Sequence, residues 1–431
     1  MAEPMGRRKA LAYGVRSAGG LVGLTLPTLC GCAVRLRRAA TTQPPPSATG
    51  SSCVQVEVGG LWPGLSAHST DAVLSRLHLT DMGAYCYRAA AHGPGDAVLV
   101  TQAWYPVMVG VVPGSVGVTL APLDEALRLA NFNTEMLVAG LGSVFVDRQR
   151  RFALPLGWLP VAVFANTTLL QALGLPAPPE APTLADLLVY CRSVRAELVR
   201  TKIYRRDAGM QVLSRRDMVD VLPTLLATFI AGFGGDVTRT PSVGQTSGPG
   251  VAALADLLAN AGGTDGGWSE GTAVLTIAAG VPTARIPAQV SRFPELPRPI
   301  QPIEVCGLGC SVGFAARADA VAVLGTALLG SKAQRAISAV AGVNPAAAAL
   351  SGLDTWVPHG LRTEPLTRIP PGWAAAWDIG VFQGPIWESA LSTVAPALTS
   401  DATTRSIAAA LGDAIASGVR ATAAATPAGH A

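Results

Sequence analysis

The residues that most often do chemistry are sparse and scattered in this 431-residue sequence. The five histidines are His68, His78, His92, His359 and His430, and no two of them stand four residues apart, as a helical metal site would need. There is no His-Glu-x-x-His zinc motif. Gly325-x4-Gly330-Ser331-Lys332 has the outline of a phosphate loop, but Ser and Lys are reversed and no strand precedes it, so it reads as a chance match. Gly307-x-Gly309-x3-Gly313 is one residue off the dinucleotide fingerprint, and no capped helix opens there. Cys306 and Cys310 lack the companion pair that zinc requires, which excludes metal. An enzyme therefore has no constellation to stand on, and no cofactor is implied. One residue type does stand out. Only 5 % of residues are aromatic, yet eight are Trp: Trp62, Trp104, Trp158, Trp268, Trp356, Trp373, Trp377 and Trp387.

Composition limits what could position these residues. Charged residues make up 14 % and hydrophobic residues 49 %, against about 25 % charged in an ordinary soluble domain. So apolar a chain can bury enough surface to offset its ordering entropy, which rules out a disordered protein. A net charge of +4 spread over scattered arginines argues against a nucleic-acid partner. The uncharged stretches 97–123 and 152–179 are too broken by Pro and Gly to span a bilayer and read instead as strands and turns.

Periodicity predicts strands over 53–58, 96–100, 161–165 and 274–277, with a further one at 303–305. It predicts helices over 70–77, 123–130, 167–173, 217–230, 251–261, 386–394 and 403–415, and a pair over 318–329 and 333–340 with Gly330 between them. Residues 144–155 read as a charged hairpin turn. Asn166 can cap one helix, and Thr183 with Asp186 opens another in the manner of a capping box. Strands alternating with helices argue for an α/β fold with largely parallel sheets.

The N-terminus reads as an export address. Arg7, Arg8 and Lys9 precede the apolar stretch 18–29, followed by Leu29-Cys30-Gly31-Cys32. That run resembles a lipobox, with Cys32 as the acylated residue and 1–32 as a lipoprotein signal peptide; an uncleaved anchor is the alternative. Residues 33–52, rich in small polar residues with three consecutive prolines, read as a flexible tether. An exported chain permits disulfides. Cys53–Cys86 and Cys306–Cys310 are possible pairs, and buried free thiols are the alternative.

From Asp96 onward the order of features resembles the family 1 extracellular solute-binding proteins of bacterial ABC importers, the sugar and glycerophosphodiester binders. Phe152-Ala-Leu-Pro155 with Val163-Phe-Ala-Asn166 resembles the family's Tyr-Ala-x-Pro and Tyr-Asn-Lys-Asp stretch, with Thr167 and Thr168 in place of Lys-Asp. Pro178-Pro179 and the helix opened by Thr183 resemble Pro-Pro followed by Thr-Trp-Asp-Glu-Leu, with Leu184 where Trp is usual. Gly234-Gly235, the Trp268–Gly271 turn, the 307–315 glycine run and the 319–345 helix pair follow in family order. The segment before Asp96 is shorter than the family norm.

The resemblance implies a two-lobed, periplasmic-binding-protein-like fold of type II, each lobe a mixed sheet flanked by helices, with hinge crossings between them. It places lobe 1 at 53–146 plus 283–328 and lobe 2 at 147–282 plus 329–428. It implies a lipid-anchored, extracytoplasmic protein that captures a small-molecule solute such as a sugar or glycerophosphodiester. The partners it implies are the ABC permease subunits and ATPase, and the membrane through the lipid. A two-lobed envelope lipoprotein that has lost transport and acts by interaction is the alternative. Sugars present apolar C–H faces and a rim of hydroxyls, so a site needs aromatic plates and polar groups. Trp62, Trp104, Tyr105 and Trp158 follow strand ends, where α/β sheets open their clefts. Trp373 and Trp377 are further candidates, and each Trp has a core position as its alternative. Gly307, Gly309 and Ser311 are expected to offer backbone N–H groups or a hydroxyl, or else to form a tight strand start.

Overall fold

The computed structural model describes residues 53–60, 67–90, 95–101, 108, 119–201, 210–235, 248–261, 267–282, 286–368, 374–375, 385–398 and 402–425. In chain order the strands are β1 (Val54–Gly60), β2 (Asp81–Met82), β3 (Tyr85–Ala89), β4 (Ala97–Thr101), β5 (Leu120–Ala121), β6 (Val146–Asp147), β7 (Arg150–Arg151), β8 (Ala153–Asn166), β9 (Gln211–Leu213), β10 (Ala273–Ala279), β11 (Ala288–Arg292), β12 (Ile300–Gln301), β13 (Ile303–Ser311), β14 (Asn344–Pro345) and β15 (Ala374–Ala375). The helices are α1 (Ala67–Arg76), α2 (Asp124–Leu129), α3 (Thr167–Leu173), α4 (Leu184–Arg200), α5 (Arg215–Asp220), α6 (Leu222–Gly232), α7 (Pro249–Leu258), α8 (Ala318–Leu328), α9 (Ser331–Ala341), α10 (Glu364–Thr367), α11 (Pro385–Ser392) and α12 (Thr404–Ala425).

Local signals account for several of these elements. Asn166 caps α3 by accepting from the Leu169 N–H, and Gly174 ends that helix in the left-handed conformation. Thr183 and Asp186 form the expected capping box at α4, where Leu187, Cys191, Val194 and Leu198 make the buried face. The helix expected over 217–230 is broken into α5 and α6 at Val221, with a proline in the first turn of α6. Gly330 separates α8 from α9 as the spacing predicts.

The main sheet runs β2-β3-β1-β4-β13-β8-β10-β9, with β11 and β14 on β8 and β5 on β13. Among the described residues of this sheet, parallel pairing is confined to β1 with β3 and β4, and β9 with β10; the separate pair β12–β15 is also parallel. β13 is antiparallel to both β4 and β8, and β10 and β11 are antiparallel to β8. The expectation of largely parallel sheets is thus replaced by a mixed sheet. The reason is the path of the chain. β4 runs toward the middle of the molecule, whereas β13 starts there and runs back, so the two pair antiparallel.

Apolar burial divides along the length of β8. Leu154, Leu156 and Trp158 pack in a first cluster with β1, β4, β13, α1, α2, α8 and α9. Val161, Val163 and Ala165 pack in a second cluster with α4, α6, α7, β10, α11 and α12. Ala162 and Phe164, on the other face of the strand, meet Trp268, Val290, Trp356 and Leu366 in a third. The chain passes between the first and second clusters three times: within β8, between Leu296 and Ile303, and between Ala346 and Trp387. These clusters do not divide where the sequence reading places the lobe boundaries. Leu154–Trp158 and the α9 residues Ala333 and Ile337 belong with the first cluster, and Phe293 and Leu296 with the second. The physical reason is that β8 is one unbroken strand of 14 residues serving both sheets. Neither Pro155 nor Pro160 interrupts it, and Pro155 stands at a β-bulge in β8, where Leu156 is the extra residue opposite the Cys306–Gly307 step of β13.

Among the described residues no single helix is long and apolar enough to cross a membrane. Cys53 and Cys86 form a disulfide joining the start of β1 to β3. Cys306 and Cys310 are free and buried. They stand four residues apart on one extended strand, a separation of roughly 13 Å that a disulfide cannot bridge.

Candidate functional site: the junction between the clusters

The strand registers show which ends of the sheet meet. In the first cluster Thr101, at the end of β4, stands level with Cys306 and Gly157. In the second, Ala279, at the end of β10, stands level with Val161. β4 and β10 therefore both point their C-terminal ends at the stretch of β8 around 157–161. In open α/β sheets, ligands bind outside such carboxyl ends.

The junction is built tightly. Gly280 follows β10 with φ +64° and donates its N–H to the Pro160 carbonyl at 2.9 Å. A Cβ there would lie 2.8 Å from Leu159 Cδ2, so both backbone and space call for glycine. Val161 donates its N–H to the Pro302 carbonyl, and buried Gln301 returns its side-chain amide to the Val161 carbonyl at 2.9 Å. Glu304 on β13 lies opposite Leu159. Arg292, at the end of β11, pairs with Glu364 of α10. Buried Asn344 donates to the Leu366 carbonyl at 2.7 Å and accepts from Trp356 Nε1 at 3.2 Å. It thereby ties the first-cluster strand β14 to the segment that lies over the second sheet.

Four of the expected site residues are placed as follows. Trp158 reaches the right level of the sheet, but it is 2 % exposed and its Nε1 donates to the Pro345 carbonyl at 3.1 Å. It packs in the first cluster, which is the core alternative for that residue. Gly307 is interior to β13, and a Cβ on it would lie 2.5 Å from the Phe145 ring and 2.6 Å from the Leu154 carbonyl oxygen. Gly309 is likewise packed, against Leu120 and the Phe152 carbonyl. These glycines let neighbours approach the strand closely. Gly309 pairs with Val98, and the Ser311 N–H donates to the Asp96 carbonyl, so both lie near the start of β4, away from the junction. Ser311 is buried. The run 303–311 is continuous strand, not a loop.

Trp62, Trp104, Tyr105, Trp373 and Trp377 lie outside the described residues, as does Cys32. Their neighbours are described. β1 ends at Gly60 and β4 at Thr101, the latter level with the junction. β15 (Ala374–Ala375), which Trp373 directly precedes, pairs with Ile300–Gln301 at the second crossing. His78 and His359 are exposed. The polar residues that brace the junction, Gln301, Asn344, Arg292 and Glu364, were not singled out from the sequence. Single amides and isolated ion-pair partners carry no spacing signal, and only the fold brings them together.

Neither a protein-family model nor a curated protein matches the sequence. Solved structures do. UgpB from Mycobacterium tuberculosis in complex with glycerophosphocholine aligns with a TM-score of 0.60 at 14 % identity, covering 85 % of this chain and 98 % of that one. An ABC substrate-binding protein from Listeria monocytogenes in complex with cycloalternan aligns with a TM-score of 0.58 at 12 % identity, covering 86 % and 99 %. The cyclic alpha-maltosyl-1,6-maltose binding protein of Arthrobacter globiformis aligns with a TM-score of 0.57 at 14 % identity, covering 86 % and 99 %. The chain has the two-lobed α/β fold of these substrate-binding proteins.

Proposed function

We propose that this chain is the solute-binding component of an ABC importer. It captures a carbohydrate or related polar solute, such as a sugar, an amino sugar or a glycerophosphodiester, between its lobes and delivers it to membrane permease subunits and their ATPase. The observation that carries this reading is the triple crossing. Two cores are joined through β8, the 297–302 segment and the 348–366 segment, with strand ends directed at the junction from both sides. Such a molecule can close on a ligand by bending where the chain crosses. The lobes that follow from the clusters are 53–158 with 303–347, and 161–296 with 386–425.

The ligand class is suggested by the fold neighbours, among them complexes with glycerophosphocholine and with cycloalternan. Trp62 and the Trp104-Tyr105 pair, just after β1 and β4, supply the aromatic plates from the first lobe. Trp373 and Trp377, on either side of β15, supply further ones. The Cys53–Cys86 disulfide suits an oxidising, extracytoplasmic compartment. We place the protein on the outer face of the membrane, held through acylated Cys32 and the 33–52 tether.

A melting-temperature screen with intrinsic tryptophan fluorescence tests this. Sugars, sugar phosphates and glycerophosphodiesters are the ligands to try. At a hundredfold excess over Kd a true ligand stabilises by about 2.7 kcal/mol, a rise of a few degrees in Tm. Trp104→Ala should abolish the rise without lowering the Tm of the free protein. Absence of any shift across all three classes at saturation would sink the transport reading.

A further inference from the structure

The end of the first lobe away from the junction collects features that the solute site does not use. β1, β4 and β8 begin there and β13 ends there. Six large hydrophobic residues are notably exposed among those described, and three of them sit at this end: Val54 (44 %), Val312 (49 %) and Phe314 (43 %). Val312 to Ala316 is an exposed run without a charge, in the turn that follows β13. Arg317 closes this turn, donating to the Gln55 carbonyl beside Val54 and to the Asp96 carboxylate at 2.8 Å. That contact fixes the apolar turn beside the start of β1.

The β6–β7 hairpin stands at the same end, since β8 starts two residues after it and Ala153 pairs with Gly309. Its tip holds Arg148 and Gln149 at φ 47° and 66°, a left-handed conformation that non-glycine residues rarely adopt. The strained turn carries Arg148, whose side chain is 93 % exposed with Asp147 3.9 Å away, and exposed Arg150. Exposed apolar groups and cationic side chains at one end of the sheet match the boundary of an anionic bilayer, where the former enter the acyl region and the latter meet phosphates.

The chain itself says what would cover this surface. The described residues start at Cys53, at this same end. Upstream lies Cys32, the residue proposed to carry the lipid. The twenty residues 33–52 between Cys32 and Cys53 give a reach of about 25 Å at the span expected of a Gly/Ser-like linker. We infer that this end of the first lobe, through Val54, Val312, Phe314 and the Arg148–Arg150 tip, rests on the anionic lipid surface of the membrane that holds the N-terminus. The junction then stands clear of the bilayer while the protein waits for solute, in an orientation distinct from that of docking on a permease. The inference rests on the reading that acylated Cys32 holds the chain to the membrane.

Site-specific photo-crosslinking tests it. The full chain is reconstituted in vesicles of phosphatidylcholine and phosphatidylglycerol with p-benzoylphenylalanine replacing Phe314, Val54 or, as a control, exposed Val189 on α4. Irradiation should give a lipid adduct by mass spectrometry at 314 and 54, several-fold above that at 189. Equal adduct at all three positions, or none at 314 and 54, overturns the inference. A cross-link from 314 to a second copy also overturns it, because the surface then pairs protomers. A high-pH carbonate wash separates the two readings. Release of the chain removes the anchor and the inference with it. Retention without the 314 adduct removes the inference alone, and the solute-induced rise in Tm is unaffected by either result.

Discussion

Gly307 can be told apart as a packing residue or a ligand contact by adding one methyl group. Its Cβ would meet the Leu154 carbonyl oxygen at 2.6 Å, and a backbone atom cannot step aside. Gly307→Ala is expected to cost about 1–3 kcal/mol in urea denaturation. The protein that remains folded should bind solute with unchanged affinity. A loss of affinity without a loss of stability would restore the binding role. Cys310, three residues further along β13, reports on burial. Removal from water, with the Asp96 carboxylate close by, pushes its thiol up to about 11 from a usual value near 9. The folded state thus holds this proton more tightly than the unfolded state does. The stability it gives is complete below pH 9 and is lost as the pH rises toward 11. Denaturation midpoints should fall over that window in the wild type, and the fall should be smaller in Cys310→Ala.

At the scale of elements, what was legible depended on how local the cause is. α4 shows this well. The Thr183 hydroxyl accepts from the Asp186 N–H at 3.1 Å, and the Asp186 carboxylate accepts from the Thr183 N–H at 3.0 Å. A contiguous stretch of chain supplies the whole device, so its spacing predicts it. Thr183→Ala should cost about 1 kcal/mol, measured by thermal denaturation, with Thr183→Ser recovering most of it. β8 is the opposite case. Its two prolines suggest a break, and the expectation was two separate strands, one closing the 144–155 hairpin and one over 161–165. It runs on from Ala153 because partners far away in sequence, β13 and β14, complete its ladder and absorb Pro155 at a bulge. β11 was missed for a related reason, since a five-residue edge strand has too few alternating positions to register.

The whole molecule turns on how its two cores are joined. Asn344 holds β14 of the first to the segment carrying Trp356 and Leu366 over the second sheet. Asn344→Ala would leave the Leu366 carbonyl and Trp356 Nε1 buried without partners, a cost on the order of 2–4 kcal/mol. Hydrogen exchange should quicken across 356–366 while the centre of β8 keeps its protection. Uniform loss of protection over both lobes would mean that the two cores unfold as one. The Tm screen and Trp104→Ala belong to this scale too, because binding between lobes couples both cores.

Read alone, the sequence determined the class of elements and their order, the caps at Asn166 and Thr183 and the helix pair around Gly330, while it left open which cysteines pair. It also brought out the resemblance to two-lobed solute binders. Each of these rests on neighbours in the chain or on an ordered series of such neighbours. Only the tertiary structure decided that Trp158, Gly307 and Gly309 serve packing, that Ser311 stands at the far end of the sheet, and where one core ends and the next begins. Those outcomes depend on which strand lies beside which. That choice minimises exposed apolar surface over the whole chain and leaves no mark in any short stretch of it.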